Sequence, residues 1–553
     1  MEELKIKQQY DVIIIGGGIT GAGTARDCAM RGFSVLLLER FDYTTGATSR
    51  NHGLLHSGAR YAVNDLESAT ECISENKILK KIARHCVEET DGLFISLPED
   101  DPAYQKTFVE SCKKAGIDAE VIDPRQALQI EPSVNPSLRG AVRVPDGSVD
   151  PFRLTMANLW DARDLGATTL TYHEVLGYIF KGDRMEGVHV LNHRTHEVCD
   201  FYGKMIINAS GIWGHHVASL AGININMFPA KGALLIFGHR VNNVVLNRLR
   251  KPANADILVP GDTICIIGTT SDRVPYDQID NMQVTPQEVE LLLREGEKLA
   301  PSLATTRILR AYAGVRPLVA ADNDPSGRNI SRGIVLLDHE ERDGMKGFAT
   351  ITGGKLMTYR LMAEKATDLV CAKLGVKKEC LTAEVALPGS RKRIRNYLKK
   401  HFVDLPVSAL KASLERHGEL ASLIPKETHQ DNGLVCECES VTVGEVNFAM
   451  SQMDADNLVA LRRRVRIGMG TCQGELCAYR AAGLLGIQHH SSQKAKEDLV
   501  DFLNERWKGM SPIAWGECLR ESQYSAWVYS NVCGLDLLKK QEQETIDKQN
   551  DEV

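Results

Sequence analysis

Across its 553 residues the chain has no apolar run near the roughly 18 residues of a membrane-spanning helix. Its first ten residues, MEELKIKQQY, hold no hydrophobic stretch, which argues against a secretory signal and for a cytoplasmic start. Positive charge is not in excess. The 66 Lys and Arg stand against 72 Asp and Glu, a net charge of −6, so the footprint of a nucleic-acid binder is missing. There is no internal repeat, and only one nucleotide fingerprint. With no oxidising compartment implied, the 14 cysteines are not expected to form disulfides. None of the closely spaced cysteines has the C-x2-C spacing of a zinc knuckle.

What is present is organised around residues 11–39, DVIIIGGGITGAGTARDCAMRGFSVLLLE. The apolar, β-branched positions 12–15 read as a buried parallel strand. Gly16, Gly18 and Gly21 follow in G-x-G-x-x-G spacing: one for the turn, one for approach of a pyrophosphate, one for close helix packing. The spacing predicts a helix over 19–30, whose N-terminus offers N–H donors and a positive dipole end to phosphate. A second strand over 34–38 ends in Glu39, placed to bind a ribose diol. In this complete context the fingerprint is specific for a dinucleotide.

Later apolar strands end in small-residue turns, Asn208-Ala209-Ser210-Gly211 and Thr352-Gly353-Gly354-Lys355, so the nucleotide fold is interrupted and completed late. The fold class expected is α/β. It comprises a discontinuous Rossmann-like FAD-binding domain (1–90, 146–225 and 310–387) and an inserted, mostly antiparallel substrate domain (91–145 and 226–309). A helical linker (388–432), a small cysteine module (433–490), a helical region (491–539) and a disordered tail (540–553) complete the chain. FAD is favoured over NAD because there is one fingerprint only and because glycines return to the site where a flat ring would lie. The cofactor-binding candidates are Gly16, Gly18, Gly21, Glu39, Arg40, Thr45, Ser49, Ala209, Gly211, Gly353, Gly354 and Lys355.

Four cysteines fall within 42 residues: Cys436-Glu437-Cys438 and Cys472-x4-Cys477. Four thiolates suit a [2Fe-2S] cluster, with zinc as the alternative, and Gly468, Gly470 and Gly474 would admit backbone N–H groups to sulfur. The preceding Arg462, Arg463, Arg464 and Arg466 read as a solvated face or structural ion pairs, or as a docking patch for an acidic redox partner, the first reading slightly preferred. Arg60, Arg316, Arg332, Lys355 and Arg360 sit at strand ends or glycine turns that should converge near the flavin. Several fixed cations in one cleft suit a phosphorylated or carboxylated substrate. His56 is the best candidate base there.

With GGGITGAG, LLHSGARY, YAGVRPL and GGKLMTYR together, residues 11 to about 390 resemble the FAD-dependent glycerol-3-phosphate dehydrogenases, of the D-amino-acid-oxidase-like class. The stretch CEC…CQGELC resembles the bacterioferritin-associated-ferredoxin-like [2Fe-2S] domain. The pair of domains is similar to the anaerobic, multi-subunit branch of that family. The resemblance implies oxidation of sn-glycerol 3-phosphate at C2 to dihydroxyacetone phosphate, with hydride going to FAD. It further implies that Arg60, Arg316 and Lys355, and less closely Arg332, lie at the phosphate end of the substrate. Electrons would leave through the cluster to a second flavoprotein subunit (with FMN possible in the assembled complex), then to a membrane-anchoring iron–sulfur subunit, then to menaquinone. The chain would thus sit peripherally on the cytoplasmic face of the inner membrane. One departure stands out. The aerobic relatives carry KGSH where this sequence has Lys231-Gly232-Ala233-Leu234, so any role of that His does not transfer. The competing readings are a dehydrogenase of another 2-hydroxy acid or an amine, and a non-catalytic relay protein.

Overall fold

The computed structural model describes residues 7–319, 333–391, 406–424 and 429–535. Arg332, part of the linker and the whole of the expected tail lie outside these. The fingerprint folds as read: β1 (Gln9–Ile15), α1 (Ile19–Met30) and β2 (Val35–Glu39). β1 pairs in parallel with β2 and with strand Val198–Asn208, and β2 pairs in parallel with Thr168–Thr171. Phe348–Gly353 adds a further parallel strand beside Val198–Asn208. The late return expected from the small-residue turns is thus one sheet position, which brings Ala209 and Gly353 to the same end as Gly16. An antiparallel meander (His173–Lys181, Arg184–Asn192) continues the sheet from the first half of Val198–Asn208. Phe348–Gly353 and Ile334–Asp338 continue it on the same side from the second half, and Thr168–Thr171 forms the opposite edge. Helix Pro151–Asp164 and helix Tyr359–Leu374 pack on α1. Val12, Ile14, Ala22, Ala25 and Leu37 are fully buried between these layers. Side chains this short on α1 let the helices and sheet approach closely.

A second sheet of nine strands is antiparallel apart from the pair Gly92–Ser96 and Val245–Arg248. One assignment changes. The segment 310–319, read as part of the nucleotide domain, belongs to this second sheet. Ile308–Val319 pairs antiparallel with Met227–Phe237 along almost its whole length. The physical reason is long-range pairing in which small residues face small ones, Gly314 opposite Gly232 and Ala313 opposite Ala233.

The cysteine module is not tethered loosely. Its apolar interior is continuous with that of the nucleotide layers, and Trp160 stacks on Phe448 with ring centroids 5.7 Å apart. The arginine run explains the docking. Arg463 and Arg464 reach the carboxylate of Asp42, just beyond β2, at 2.7 and 2.5 Å. Arg466 pairs with Asp150 and Glu439 at 3.0 and 2.8 Å. These three arginines point inward, and the ion-pair reading of the run holds for them. A second buried pair anchors the module internally. Burial alone would raise the Glu445 carboxyl, but the charges and hydrogen bonds of Arg416 and His417 outweigh it and hold it at about 2. A carboxylate depressed in the folded state stabilises above its unfolded pKa of 4.5 and loses that contribution as pH falls. We therefore expect the stability gap between the wild type and Glu445→Gln to narrow by about 3 kcal/mol between pH 4.5 and pH 2. Urea midpoints across that window measure it, and a constant gap refutes it.

Candidate functional site

A cavity of about 870 Å3 runs along the end of the first sheet and under the second. Gly16, Gly18, Glu39, Arg40, Thr45, Ala209, Gly211, Gly353, Gly354 and Lys355 line it, and so do His56, Arg60 and Arg316. Thirteen expected residues from six separate stretches therefore meet in one place. Gly16 adopts a φ of +115°, and a Cβ there would stand 2.7 Å from the Ala209 carbonyl oxygen. A Cβ on Gly21 would stand 1.9 Å from the Gly16 carbonyl oxygen, so this glycine serves packing and is not in the cavity wall. Ser49 also lies elsewhere: it lines a neighbouring cavity. Its hydroxyl turns back to the Gly46 carbonyl, as expected for a short polar side chain in a 3₁₀ turn. Arg360 is withdrawn from the cation set. It is buried and forked on Glu75 at 2.6 Å, with Glu364 at 2.7 Å. Leaving so buried a guanidinium without carboxylates would be costly, so its role is structural.

The wall fits FAD. The first turn of α1 has Gly18 at its N-cap and no capping bond from Gly18 itself, leaving N–H groups directed at the cavity. Thr48, which the sequence did not single out, takes one of them: its hydroxyl accepts from the Ile19 N–H at 3.1 Å. The Glu39 carboxylate accepts from the Gly17 N–H at 2.7 Å and is raised from its ordinary pKa by burial. It stands where a ribose diol would bond it. Arg40 lies 5.0 Å from the Trp213 ring centroid and donates to Asp280 at 2.8 Å, closing one side of the cavity. Trp213 was likewise missed; its signal was only an aromatic just beyond a glycine turn.

At the other end the cavity is positive. Burial and then the charges of Arg316 and Arg60 push His52 down to about 3, so it is neutral. Arg60 donates to the Ala253 carbonyl at 2.8 Å and pairs with Asp256 at 3.3 Å. Arg316 is held by oxygens, the Thr270 carbonyl at 3.0 Å and the Thr269 hydroxyl among them. Its guanidinium lies flat on Gly232, where a Cβ would approach to 2.6 Å. That explains the glycine of KGAL, a strand glycine marking close approach. Lys231 beside it is committed to Glu288 at 2.7 Å. Lys355 Nζ stands 4.6 Å from the Tyr61 ring centroid. His56 is buried, 5.4 Å from the same ring.

The four cysteines of the module converge. Cys438 Sγ lies 3.6 Å from Cys436 and 3.7 Å from Cys472, and Cys477 hydrogen-bonds to both Cys436 and Cys472. Hydrogen bonds from Cys438 and Cys477 favour thiolate at Cys436 and Cys472 and pull both below the ordinary thiol range. Backbone N–H groups of Glu439, Gly474 and Leu476 add to this. A Cβ on Gly470 would stand 2.6 Å from Cys438 Sγ. Four converging sulfurs cradled by glycine backbone fit a [2Fe-2S] cluster. Among the described residues all cysteines are free thiols, and seven of the ten scattered ones are buried.

Comparison with known proteins agrees with this geometry. The family described as FAD dependent oxidoreductase matches residues 11–360, and the BFD-like [2Fe-2S] binding domain matches residues 434–486. The chain is 61% identical over 530 residues to the A subunit of the anaerobic glycerol-3-phosphate dehydrogenase of Haemophilus influenzae, covering 96% of this chain and 94% of that one. It is equally similar to the corresponding protein of Escherichia coli, at 61% over 534 residues, 96% of this chain and 98% of that. In fold it is similar to the glycerol-3-phosphate dehydrogenase of Bacillus halodurans complexed with FAD. The TM-score is 0.69 at 20% identity, covering 92% of this chain and 97% of that one. The chain therefore belongs to the FAD dependent oxidoreductase family, among the anaerobic glycerol-3-phosphate dehydrogenase A subunits, with a BFD-like [2Fe-2S] domain behind its catalytic part.

Proposed function

We propose that this chain oxidises sn-glycerol 3-phosphate to dihydroxyacetone phosphate. The observation that carries the reading is that the dinucleotide wall and the cations Arg60, Arg316 and Lys355 share one cavity. FAD, when bound, accepts a hydride from C2, and a [2Fe-2S] cluster, when bound, passes single electrons onward. Arg316 and Lys355 hold the phosphate group, Arg316 through its planar fork and Lys355 as a point charge. Arg60, restrained by Asp256, adds long-range attraction. His56 takes the C2 hydroxyl proton: its buried imidazole lines the cavity that holds the cations. Binding the dianion among fixed cations orients C2 before reaction.

The relatives are by name one part of a multi-subunit enzyme. In this chain the same arrangement would pass electrons to a second flavoprotein subunit, an iron–sulfur membrane anchor and menaquinone, in anaerobic respiration at the inner membrane. Among the described residues no helix is long and apolar enough to cross a membrane, which accords with attachment through partners. The test is anaerobic addition of sn-glycerol 3-phosphate to the purified chain. Bleaching of the flavin band followed by loss of the broader cluster absorbance is expected. Bleaching by a 2-hydroxy acid and not by glycerol 3-phosphate would overturn the assignment.

A further inference from the structure

A second cavity, of about 570 Å3, adjoins the first and shares Thr45, Arg50, Asn51 and His52 with it as a common wall. Its other walls come from strand Ile308–Val319, from the turn ahead of helix Pro151–Asp164, from the cysteine module and from helix Ser492–Met510. That size is typical of small-molecule sites, about 300–1,000 Å3.

Most cations of this wall are matched. Arg153 and Arg466 share Asp150 and Asp262, Arg240 takes Glu88, and Arg463 takes Asp42. Arg50, Arg310 and Arg462 form no ion pair with a carboxylate among the described residues. Arg310 donates to the backbone carbonyl of Glu505 at 2.7 Å, and Arg462 Nε is buried without a hydrogen-bond partner. The carboxylate whose charge reaches all three, Glu505, is bonded to Lys508 at 2.7 Å. Burial disfavours charge on all three guanidiniums; in addition Arg50 disfavours it on Arg310, and Arg310 on Arg462. Room has nonetheless been made for them. Gly509 stands inside a helix where a Cβ would approach Arg310 Cγ to 2.4 Å. A side chain at this position, in the last turn of the helix, would collide with that of Arg310.

We propose that this cavity is a second ligand site for a small molecule bearing a phosphate group, held by Arg50, Arg310 and Arg462. Three guanidiniums share only Glu505, with Asp280 adding to Arg50 alone, so positive charge is left in excess, and their forks match phosphate oxygens. Tyr312, Met282 and Met469 offer an apolar wall to the body of the ligand. The occupant would lie between the nucleotide cavity, through Asn51 and His52, and the cysteine module, through Met469 and Gln473. The inference does not depend on which alcohol the first cavity oxidises.

The phosphate can belong to a free metabolite or to a resident cofactor, and two measurements separate these. Equilibrium dialysis of the FAD-loaded full chain against inorganic pyrophosphate, ADP and FMN tests uptake. Denaturation followed by mass spectrometry tests for a phosphorylated compound, other than FAD, carried through purification. One or the other is expected at one per chain. Arg462→Gln and Arg310→Gln are each expected to weaken that binding about tenfold, the loss of one charge-assisted hydrogen bond. With the cavity empty, Arg462→Gln should not lower Tm, because its Nε has no hydrogen-bond partner to lose and the change relieves like-charge repulsion. FAD content reports folding of each variant, and either variant suffices if the other fails. The proposal is overturned if no probe saturates and nothing but FAD is released, or if binding is unchanged in both variants.

Discussion

Cys472→Ser is expected to abolish the cluster while leaving the flavin chemistry in place. Cys472 is the sulfur most strongly biased toward thiolate by its surroundings, with Cys438 and Cys477 donating to it and the Gly474 and Leu476 N–H groups directed at it. Replacing it with a hydroxyl removes one of four iron ligands and the charge that the neighbouring donors are built to meet. Loss of groups merely surrounding a metal ligand costs about 10–100-fold in affinity or activity, so loss of the ligand itself should reach at least the upper figure. Iron and acid-labile sulfide in the purified chain should fall to near zero, and turnover with the natural acceptor about a hundredfold or more. Anaerobic bleaching of FAD by substrate should proceed at the wild-type rate, because the cysteine loop contributes no wall to the first cavity. Retained iron in the variant, or zinc in place of iron in the wild type, would refute the cluster assignment.

The same loop shows why removal should be tolerated by the fold. Tyr529 caps it from behind, its hydroxyl donating to the Gly474 carbonyl at 2.7 Å. Phe502 fills the space that side chains on Gly468 and Gly474 would need. The module is held to the nucleotide layers by Asp42 and the arginine pair, independently of sulfur. Trp507, Trp515 and Trp527 remain about half exposed on the outer helices, so capping of the cysteines falls to Tyr529 and Phe502.

The first strand, glycine turn and helix were legible because local rules and tertiary position agree there. Strand apolarity, glycine spacing and short helix side chains all describe one βαβ unit, and α1 spans the predicted residues. The cysteine set was legible for a similar reason: four ligands of one type in a short stretch have few other uses. The strand at 308–319 was not legible as part of the second sheet, because membership of a sheet is a long-range pairing that periodicity does not encode. Arg316 and Arg360 looked alike in sequence, each beside a small residue or a turn. What distinguishes them is Glu75, 285 residues away, which neutralises one and not the other. Thr48 and Trp213 act through backbone and ring contacts set by the chain's path, for which no local signal exists. The second cavity was invisible for the same reason, since its three arginines come from a loop, a strand and a helix in different parts of the chain.

Arg316→Gln is expected to lower kcat/KM for sn-glycerol 3-phosphate by about a hundredfold or more. The guanidinium is fixed before substrate arrives: Gly232 lets it lie flat, and the oxygens of Thr269 and Thr270 hold its Nη2. A cation so held meets a phosphate without paying to be ordered. Removing one partner of a desolvated charge pair costs about 2–5 kcal/mol, and about 1.4 kcal/mol is tenfold in rate. Arg316→Lys should recover little of the loss, because an ammonium cannot keep the two oxygen contacts and still present a second donor to phosphate. Unphosphorylated glycerol provides the control. Its slow oxidation should be unaffected by the substitution, so that the discrimination between the two alcohols collapses while FAD content stays constant. His52 offers an internal check on the same charge: with Arg316 gone one of the two cations depressing it is lost, so its pKa should rise from about 3. Equal loss for glycerol and glycerol 3-phosphate would instead place Arg316 in support of the flavin, and the phosphate would then rest on Lys355 and Arg60.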